Sequence, residues 1–321
     1  MNVKKSSIRA WSRLGQRGSV FGIKLPELAE ELDNIKLLTA DLSLLSGMER
    51  FIRDYPEKFL NLGIAEQNMV GIAAGLAMEG YTVFATTYAS FIAVRSLEHI
   101  RQHLAHMGCN VKIIGSSAGV VAAKSGISHW ATEDIAFMRA LPNMTVFSPS
   151  DCLEAMKIIE YAAKTEGPMY IRLSGGLNCA PVYYEDFDFI PGKNVRLREG
   201  KDLAILATGL MVQEALEAAE ILSEKNISAE VINVHTIKPL DEQNLSDLCQ
   251  RFKIVFTVEE HNVIGGLGGA VAEYLSGREQ SPRLVRLGIN DCYMEAGSQR
   301  FIWDNANLTA EKLAVQIQET L

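Results

Sequence analysis

Short apolar runs alternate along the chain with stretches in which apolar residues recur every three or four positions. A run of the first kind, such as residues 111–115, predicts a short buried strand, and a stretch of the second kind, such as residues 65–78, predicts a helix. Strands that are apolar throughout are typical of a parallel sheet with helices on both faces. The pattern therefore predicts an α/β fold.

Two alternations of this type follow one another. In the first, the predicted strands are residues 36–40, 81–86, 111–115, 145–148 and 169–173, and the predicted helices are 65–78, 90–106 and, behind a capping Asp151, 152–163. In the second, the predicted strands are residues 203–209, 229–234, 254–258 and 283–287, and the predicted helices are 211–222 and 268–275. Between them, residues 176–200 are rich in Gly, Pro and acidic side chains and predict a linker or a covering hairpin. We expect two doubly wound domains, residues 1–190 and a smaller one at 191–321.

Composition and charge narrow the class of protein. A formal net charge of -8 argues against a diffuse basic surface for nucleic acid. The basic residues near the N-terminus are interpreted as a solvated helix or arm: Lys4, Lys5, Arg9, Arg13 and Arg17. Five scattered cysteines without a CxxC pair argue against a disulfide framework or a zinc ribbon. No apolar run resembles a signal peptide or a membrane span, so we expect a cytoplasmic protein with reduced thiols and no membrane partner.

Three short segments contain candidates for chemistry. Glu66 opens an otherwise apolar helix, where it is either a helix-end charge favoured by the dipole or a buried acid that keeps its proton. Tyr88 and Phe91 follow a predicted strand, at the end where parallel sheets bind ligands, although core packing would also explain them. His129 lies in a Gly/Ser loop after another strand and is a candidate acid, base or hydrogen-bond donor.

Two further patterns have a structural explanation. His99, His103 and His106 share a helix face and could bind a metal, but a polar face or a subunit contact explains them as well. The glycines at 265–269 resemble a phosphate loop, but Val271 breaks GxGxxG and the Lys-Ser/Thr pair of a P-loop is missing. A tight turn with close helix packing is the better interpretation, and we assign no metal site.

The order and spacing of several motifs resemble those of transketolases over nearly the whole chain from about residue 20. The motifs that resemble their pyrimidine-binding domain are ADL (40–42), NLGIAEQNMVGIAAGLA (61–77), YASF (88–91), SGISHWATEDIAFMRALPN (125–143), FSPSD (147–151) and IRLSGG (171–176). Those similar to their C-terminal domain are VINVHTIKPLD (231–241), TVEEHNVIGGLGGAVAEYL (257–275) and LGINDCYMEAGSQ (287–299). The chain also resembles 1-deoxyxylulose-5-phosphate synthase and, more distantly, the E1 beta chains of 2-oxoacid dehydrogenases.

The resemblance implies thiamine diphosphate as cofactor, with Mg2+, and an active site shared between chains. Full-length members carry Gly-Asp-Gly and a later Asn that hold Mg2+ and the diphosphate, and no Gly-Asp-Gly occurs here. The length also matches only the second half of a transketolase. The resemblance therefore implies an N-terminal partner subunit that carries the diphosphate site, and we expect a dimer of heterodimers.

The resemblance also assigns roles to individual residues. Glu66 matches the family Glu that bonds the N1' nitrogen of the cofactor's aminopyrimidine, which makes it the central catalytic residue. Phe91 matches the aromatic residue that stacks on the pyrimidine, with Tyr88 in the same pocket. His129 matches a histidine near the thiazolium ring and the ketol end of the substrate. Asp41 matches an Asp of the cofactor-facing interface.

The departures from the family pattern concern the substrate. Ser116 stands where the family has a phosphate-side His, and Ser125 where it has an Asp that reads a substrate hydroxyl. Trp130 replaces a Gln, and Gly175 replaces a clamp Arg, while Arg172 remains nearby in the same strand. These five are the predicted substrate-binding residues. Because a charged bidentate contact is lost with the clamp Arg, we expect an unusual substrate, unphosphorylated or bound to a carrier.

The sequence therefore predicts a transferase (EC 2.2.1.-) that moves a two-carbon ketol (glycolaldehyde) unit from a ketose sugar to an aldehyde-type acceptor. The alternatives are an E1 beta-like component that delivers an acyl group to lipoyl, and an enzyme like 1-deoxyxylulose-5-phosphate synthase. A non-enzymatic partner subunit is disfavoured because Glu66, Phe91 and His129 are all retained.

Overall fold

Two sheets organise the fold in the computed structural model, which describes residues 3–321. The strands are β1 (Ile35–Thr39), β2 (Phe59–Asn61), β3 (Thr82–Tyr88), β4 (Val111–Ser116), β5 (Thr145–Phe147), β6 (Met169–Leu173), β7 (Val195–Arg198), β8 (Leu203–Ala207), β9 (Ala229–Asn233), β10 (Thr236–Lys238), β11 (Ile254–Asn262) and β12 (Arg283–Ile289). The first sheet has the order β10-β5-β6-β4-β3-β1-β2, and the second has the order β12-β11-β8-β9-β7. Only the edge pairs β10/β5 and β7/β9 are antiparallel. The predicted α/β fold is confirmed.

Helices cover the faces of the sheets. The α-helices are α1 (Lys5–Ser19), α2 (Leu25–Glu31), α3 (Ser43–Ser46), α4 (Glu49–Asp54), α5 (Glu66–Met78), α6 (Leu97–His99), α7 (Asp134–Ala140), α8 (Cys152–Lys164), α9 (Met211–Glu224), α10 (Glu242–Arg251), α11 (Leu267–Ser276), α12 (Gln299–Asn305) and α13 (Ala310–Thr320). Wider π-helical segments cover Val20–Lys24, Phe91–Arg95 and Ile100–His106, and 3-10 turns cover Pro56–Lys58 and Ala123–Ser125. None of the helices between residues 3 and 321 has the length and apolarity needed to cross a bilayer.

The two halves of the chain pack through a shared apolar core. One buried cluster joins Val83 and Ile113 of the first sheet to Leu206 and Ile232 of the second. Strand β10 lies in the second half of the chain but pairs with β5 of the first sheet. The boundary near residue 190 stays a prediction, and β10 shows that the halves are also joined by backbone hydrogen bonds.

The segment predicted as one long helix over residues 90–106 has a different structure. Two π-helical segments flank the single turn of α6, and Ser96 between them leaves the helical conformation at φ -107°. Apolar periodicity does not distinguish a π-turn from an α-turn, because both bury one face. The wider first segment carries Phe91 and Arg95, whose side chains contact each other.

The basic N-terminal segment is packed rather than solvated. Helix α1 packs against α8 and buries Ile8 and Trp11, while Arg9 and Arg13 stay exposed. The interpretation as a solvated helix or arm is therefore wrong for its inner face. An amphipathic helix of this kind is stabilised by the apolar stripe, which the count of basic residues does not reveal.

The glycine-rich turn before α11 encloses a side chain of the protein itself. The Glu259 carboxylate accepts hydrogen bonds from the backbone N–H groups of Leu267 and Gly268, at 2.7 and 2.8 Å. Burial raises the pKa of Glu259 to about 7. A Cβ at Gly266 would lie 1.8 Å from this carboxylate, so glycine is required there. The backbone N–H groups that could bind a phosphate are therefore already bonded to Glu259. This supports the interpretation of the glycine-rich segment as a tight turn.

Candidate active site

Polar and aromatic side chains collect where the parallel strands of the first sheet end. Asp41 follows β1, Asn61 ends β2, Tyr88 ends β3 and Ser116 ends β4. The carboxyl ends of parallel strands share one edge of the sheet, where ligands of such folds bind. This edge therefore contains the candidate active site.

The loop that leads to Glu66 is held by the Asn61 side chain. Its amide oxygen accepts hydrogen bonds from the backbone N–H groups of Asp41 and Gly63, at 3.0 and 3.1 Å, and its amide nitrogen donates to the Asp41 carboxylate at 3.2 Å. Glu66 then begins α5 with 6% of its surface exposed. Glu66 therefore lies at the helix start and is buried, and its role as an active-site acid stays a prediction.

Glu66 is in contact with Arg95 on the neighbouring π-helical segment. The Arg95 Nη1 atom donates to Glu66 Oε1 at 3.1 Å. The guanidinium carbon of Arg95 also lies 3.9 Å from the centre of the Phe91 ring, a cation–π contact. The Arg95 side chain is 50% exposed, whereas that of Glu66 is 7% exposed.

Tyr88, Phe91 and His129 form an aromatic cluster beside this pair. Their ring centres are separated by 5.5 Å (Tyr88–Phe91), 5.4 Å (Tyr88–His129) and 5.2 Å (Phe91–His129), all edge to face. The Ser128 hydroxyl lies 2.9 Å from His129 Nδ1. The structure thus brings together four of the predicted residues, Glu66, Tyr88, Phe91 and His129, with Asp41 supporting the loop before Glu66.

A cavity of about 440 Å³ opens next to Tyr88. Its wall is formed by both halves of the chain, namely by Arg17, Tyr88, Ser117, residues 121–125 and residues 297–299. Among the ion pairs of residues 3–321, none involves Arg17. Burial lowers the pKa of Arg17 from its ordinary value. A partly desolvated guanidinium without a carboxylate partner suits an anionic group in the cavity.

A kink in α1 directs Arg17 to this cavity. Gly15 has a φ of 72°, and a Cβ there would lie 2.2 Å from the carbonyl oxygen of Gly176. The next residue, Gln16, pairs with Gly175 through its backbone N–H at 3.1 Å and through its side-chain oxygen at 2.7 Å. The close approach of two backbones requires glycine at position 15.

The predicted substrate residues are not all at the cavity. Ser125 lines it. Ser116 is fully buried, with its hydroxyl 3.0 Å from that of Thr86. Trp130 is 2% exposed and packs into the apolar cluster around the second sheet. Gly175 is covered by α1 and lines a separate cavity of about 210 Å³. Direct contact with a substrate is supported by this geometry for Ser125 alone.

Arg172, the fifth of these residues, lies inside the protein. Its Nε atom is 3.1 and 3.0 Å from the two carboxylate oxygens of Asp134, and both side chains are 1% exposed. Its Nη2 atom donates to the carbonyl oxygens of Ala131 and Glu260, at 3.1 and 2.9 Å. Arg172 therefore connects β6 to β11 and to the loop behind His129, which is a structural role.

Sequence reasoning missed two cationic residues at the site. The sequence predicts a solvated arm for Arg17, and no pattern in it links Arg95 to Glu66. The one local signal was Gly15, because a glycine inside an amphipathic helix indicates a kink or a close approach. Arg95 carries no such signal, since its contact with Glu66 depends on the π-helical turn.

The residues at this edge fit one part of a cofactor. A carboxyl group beside an accessible aromatic ring can bind a planar nitrogen heterocycle, through a ring nitrogen and a ring face. Within residues 3–321, no group of three or more His, Cys, Asp or Glu side chains is arranged to hold a metal ion.

Comparison with known proteins identifies the chain. The family model for the transketolase pyrimidine binding domain matches residues 18–179, and that for the transketolase C-terminal domain matches residues 192–313. The chain belongs to the transketolase family. A putative transketolase C-terminal section from Methanocaldococcus jannaschii is 40% identical over 322 residues, covering 99% of each chain.

Two other relatives of this transketolase-family chain are informative. The 6-deoxy-6-sulfo-D-fructose transketolase subunit SqwH of Clostridium sp. (strain MSTE9) is 39% identical over 90% of this chain and 89% of its own length. A solved structure described as a split gene transketolase, inactive beta4 tetramer, is 42% identical with a TM-score of 0.85, and covers 95% of this chain and 97% of its own.

Proposed function

We propose that this chain is the C-terminal subunit of a two-chain, thiamine diphosphate-dependent enzyme that moves a two-carbon ketol unit from a ketose to an aldehyde. The observation that carries the proposal is that the buried carboxyl group of Glu66 and the Phe91 ring lie within reach of one planar group, the Arg95 guanidinium, at the ligand-binding edge of a parallel sheet. Membership of the transketolase family supports the cofactor and the class of reaction.

The residues of this chain have distinct roles in the proposed chemistry. Thiamine diphosphate, when bound, supplies the carbanion chemistry. Glu66 would bind the ring nitrogen of the pyrimidine through its carboxyl group and would supply there the proton that activation of the cofactor needs. Phe91 binds the ring face and Tyr88 closes the pocket. His129, in edge contact with both rings, donates a hydrogen bond to the oxygen of the substrate.

The diphosphate and Mg2+ are assigned to a partner subunit with the Gly-Asp-Gly and Asn motif, since this chain has no Gly-Asp-Gly. Two similar proteins are described as a subunit or as a split gene product, which supports a two-chain enzyme. We propose a dimer of heterodimers in the cytoplasm, in which each site is completed by the partner.

The substrate is proposed to carry an anionic group, phosphate or sulfonate, at its far end. Arg17 supports this because it lines the cavity beside Tyr88. Within residues 3–321 it forms no ion pair with a carboxylate. The SqwH relative is named for a sulfonated sugar. Gly175 in place of a clamp Arg had suggested an unphosphorylated or carrier-bound acceptor, and that idea stays a prediction. Arg17 favours the anion.

The test is an assay of the chain mixed with the partner subunit, thiamine diphosphate and Mg2+. We expect transfer of a ketol unit from phosphorylated or sulfonated ketoses to aldehydes. Turnover of pyruvate with an aldehyde would instead support the 1-deoxyxylulose-5-phosphate synthase-like alternative, and acylation of lipoyl by 2-oxoacids would support the E1 beta-like alternative. Either result, without ketol transfer, would contradict the proposal.

The role of Arg17 gives a separate prediction. In the Arg17→Ala variant, we expect the KM for an anionic ketose to rise about 10- to 100-fold, since a hydrogen-bonded charge pair is lost. The kcat should change little, because the proposed contact is with the anionic end of the sugar and not with its ketol end. Steady-state kinetics with matched anionic and neutral sugars would measure this. Arg13→Ala, on the exposed side of the same helix, is the control. An equal loss with both sugars would contradict the assignment.

A further inference from the structure

Within this chain, Arg95 makes both of the contacts that the proposed function assigns to the cofactor's pyrimidine ring. Its Nη1 atom donates to Glu66 Oε1 at 3.1 Å, and its guanidinium lies 3.9 Å from the centre of the Phe91 ring. Glu66 and Phe91 are the two residues proposed to bind the ring nitrogen and the ring face. Glu66 and Phe91 can therefore bind either the Arg95 guanidinium or the pyrimidine ring of the cofactor.

A guanidinium is a chemical counterpart of an aminopyrimidine. Both are planar, delocalised groups that carry N–H donors at the edge and stack on aromatic faces. The guanidinium and the pyrimidine interact with different forms of the Glu66 side chain. A salt bridge with Arg95 uses the carboxylate, whereas donation of a proton to a ring nitrogen uses the carboxylic acid. The pair with Arg95 and the activation of the cofactor therefore exclude each other.

The geometry of Arg95 allows its side chain to leave while its backbone stays. The Gln67 side-chain amide donates to the carbonyl oxygen of Arg95 at 2.9 Å, which anchors the π-helical turn to the first turn of α5. The Arg95 side chain, however, is 50% exposed. A half-exposed ion pair contributes little to stability, so a ring that binds Glu66 and Phe91 can displace it.

We propose that Arg95 is a positioning residue that occupies the pyrimidine pocket of the free subunit and competes with the cofactor for Glu66 and Phe91. The inference rests on the proposed function. The guanidinium keeps the Glu66 carboxylate and the Phe91 ring in place and leaves when the cofactor binds. Because a fraction of the molecules is blocked at any time, the apparent affinity for the cofactor is lowered by that fraction.

The test compares the cofactor affinity of complexes assembled with unmodified, Arg95→Ala and Arg95→Lys chains. Calorimetry with thiamine diphosphate and Mg2+ should show a Kd about 3- to 10-fold lower for Arg95→Ala. Arg95→Lys should fall between the other two, since an ammonium pairs with Glu66 but lacks the planar stacking group.

Arg101→Ala is the matched control, because Arg101 is exposed and pairs with Glu98 outside the site. An unchanged or higher Kd in Arg95→Ala, with the unmodified complex binding normally, would overturn the competition and leave the proposed function intact. If the unmodified complex binds no thiamine diphosphate, the proposed function fails and the competition fails with it. The two failures are therefore distinguishable.

Discussion

Glu66→Gln is expected to lower the turnover of the assembled enzyme by roughly 10²- to 10⁴-fold, the usual contribution of a positioned acid or base. The amide keeps the size and a hydrogen-bond donor at this buried position, but it cannot give up a proton to a ring nitrogen. Steady-state turnover with saturating cofactor measures the effect. Assembly with the partner should be unchanged, which size-exclusion chromatography checks.

Glu98→Gln is the control for this substitution, since Glu98 is exposed and pairs with Arg101 away from the site. It should leave turnover unchanged. Full activity of Glu66→Gln would remove Glu66 from the chemistry, whereas loss of assembly in that variant would point to a structural role instead.

Arg172→Met is expected to have the largest effect on stability, a loss of about 3–5 kcal/mol in the free energy of unfolding. The substitution leaves the Asp134 carboxylate buried with one partner, the hydroxyl of Tyr170 at 2.6 Å. It also removes the donors to the carbonyl oxygens of Ala131 and Glu260. Urea denaturation of the chain, followed by circular dichroism, measures the change.

A second variant separates lost charge from lost packing. Arg172→Met combined with Asp134→Leu removes both buried charges, so it should be more stable than Arg172→Met alone. Arg101→Met, which breaks an exposed pair, should cost at most about 1 kcal/mol. If Arg172→Met costs no more than Arg101→Met, the buried pair does not hold the loop behind His129.

The sequence was sufficient for the α/β fold and for much of the candidate site. Parallel strands buried on both faces appear as apolar runs, and residues that follow such runs collect at one edge of the sheet. This pattern indicates Tyr88, Phe91 and His129, whereas Glu66 is indicated by its place at the start of an apolar helix. The structure brings the four together. The resemblance to a family then assigned their roles.

The sequence does not predict the position and role of a charged side chain when these depend on residues distant in the chain. Arg172 forms a buried ion pair with Asp134, 38 positions away in the sequence, and has a structural role. Arg17 faces a cavity because Gly15 kinks the helix against residues 175 and 176. Local pattern contains neither fact, since both depend on tertiary packing. The same reason explains why β10 joins the first sheet from the second half of the chain.

We propose above all that this chain provides the activating half of a thiamine diphosphate site and that a partner subunit provides the half that holds the diphosphate. Calorimetric titration of thiamine diphosphate with Mg2+, into the chain alone and into the chain mixed with its partner subunit, tests this most directly. We expect weak binding to the chain alone and tight binding, with one cofactor per heterodimer, in the mixture. Tight, Mg2+-dependent binding by the isolated chain would contradict the claim.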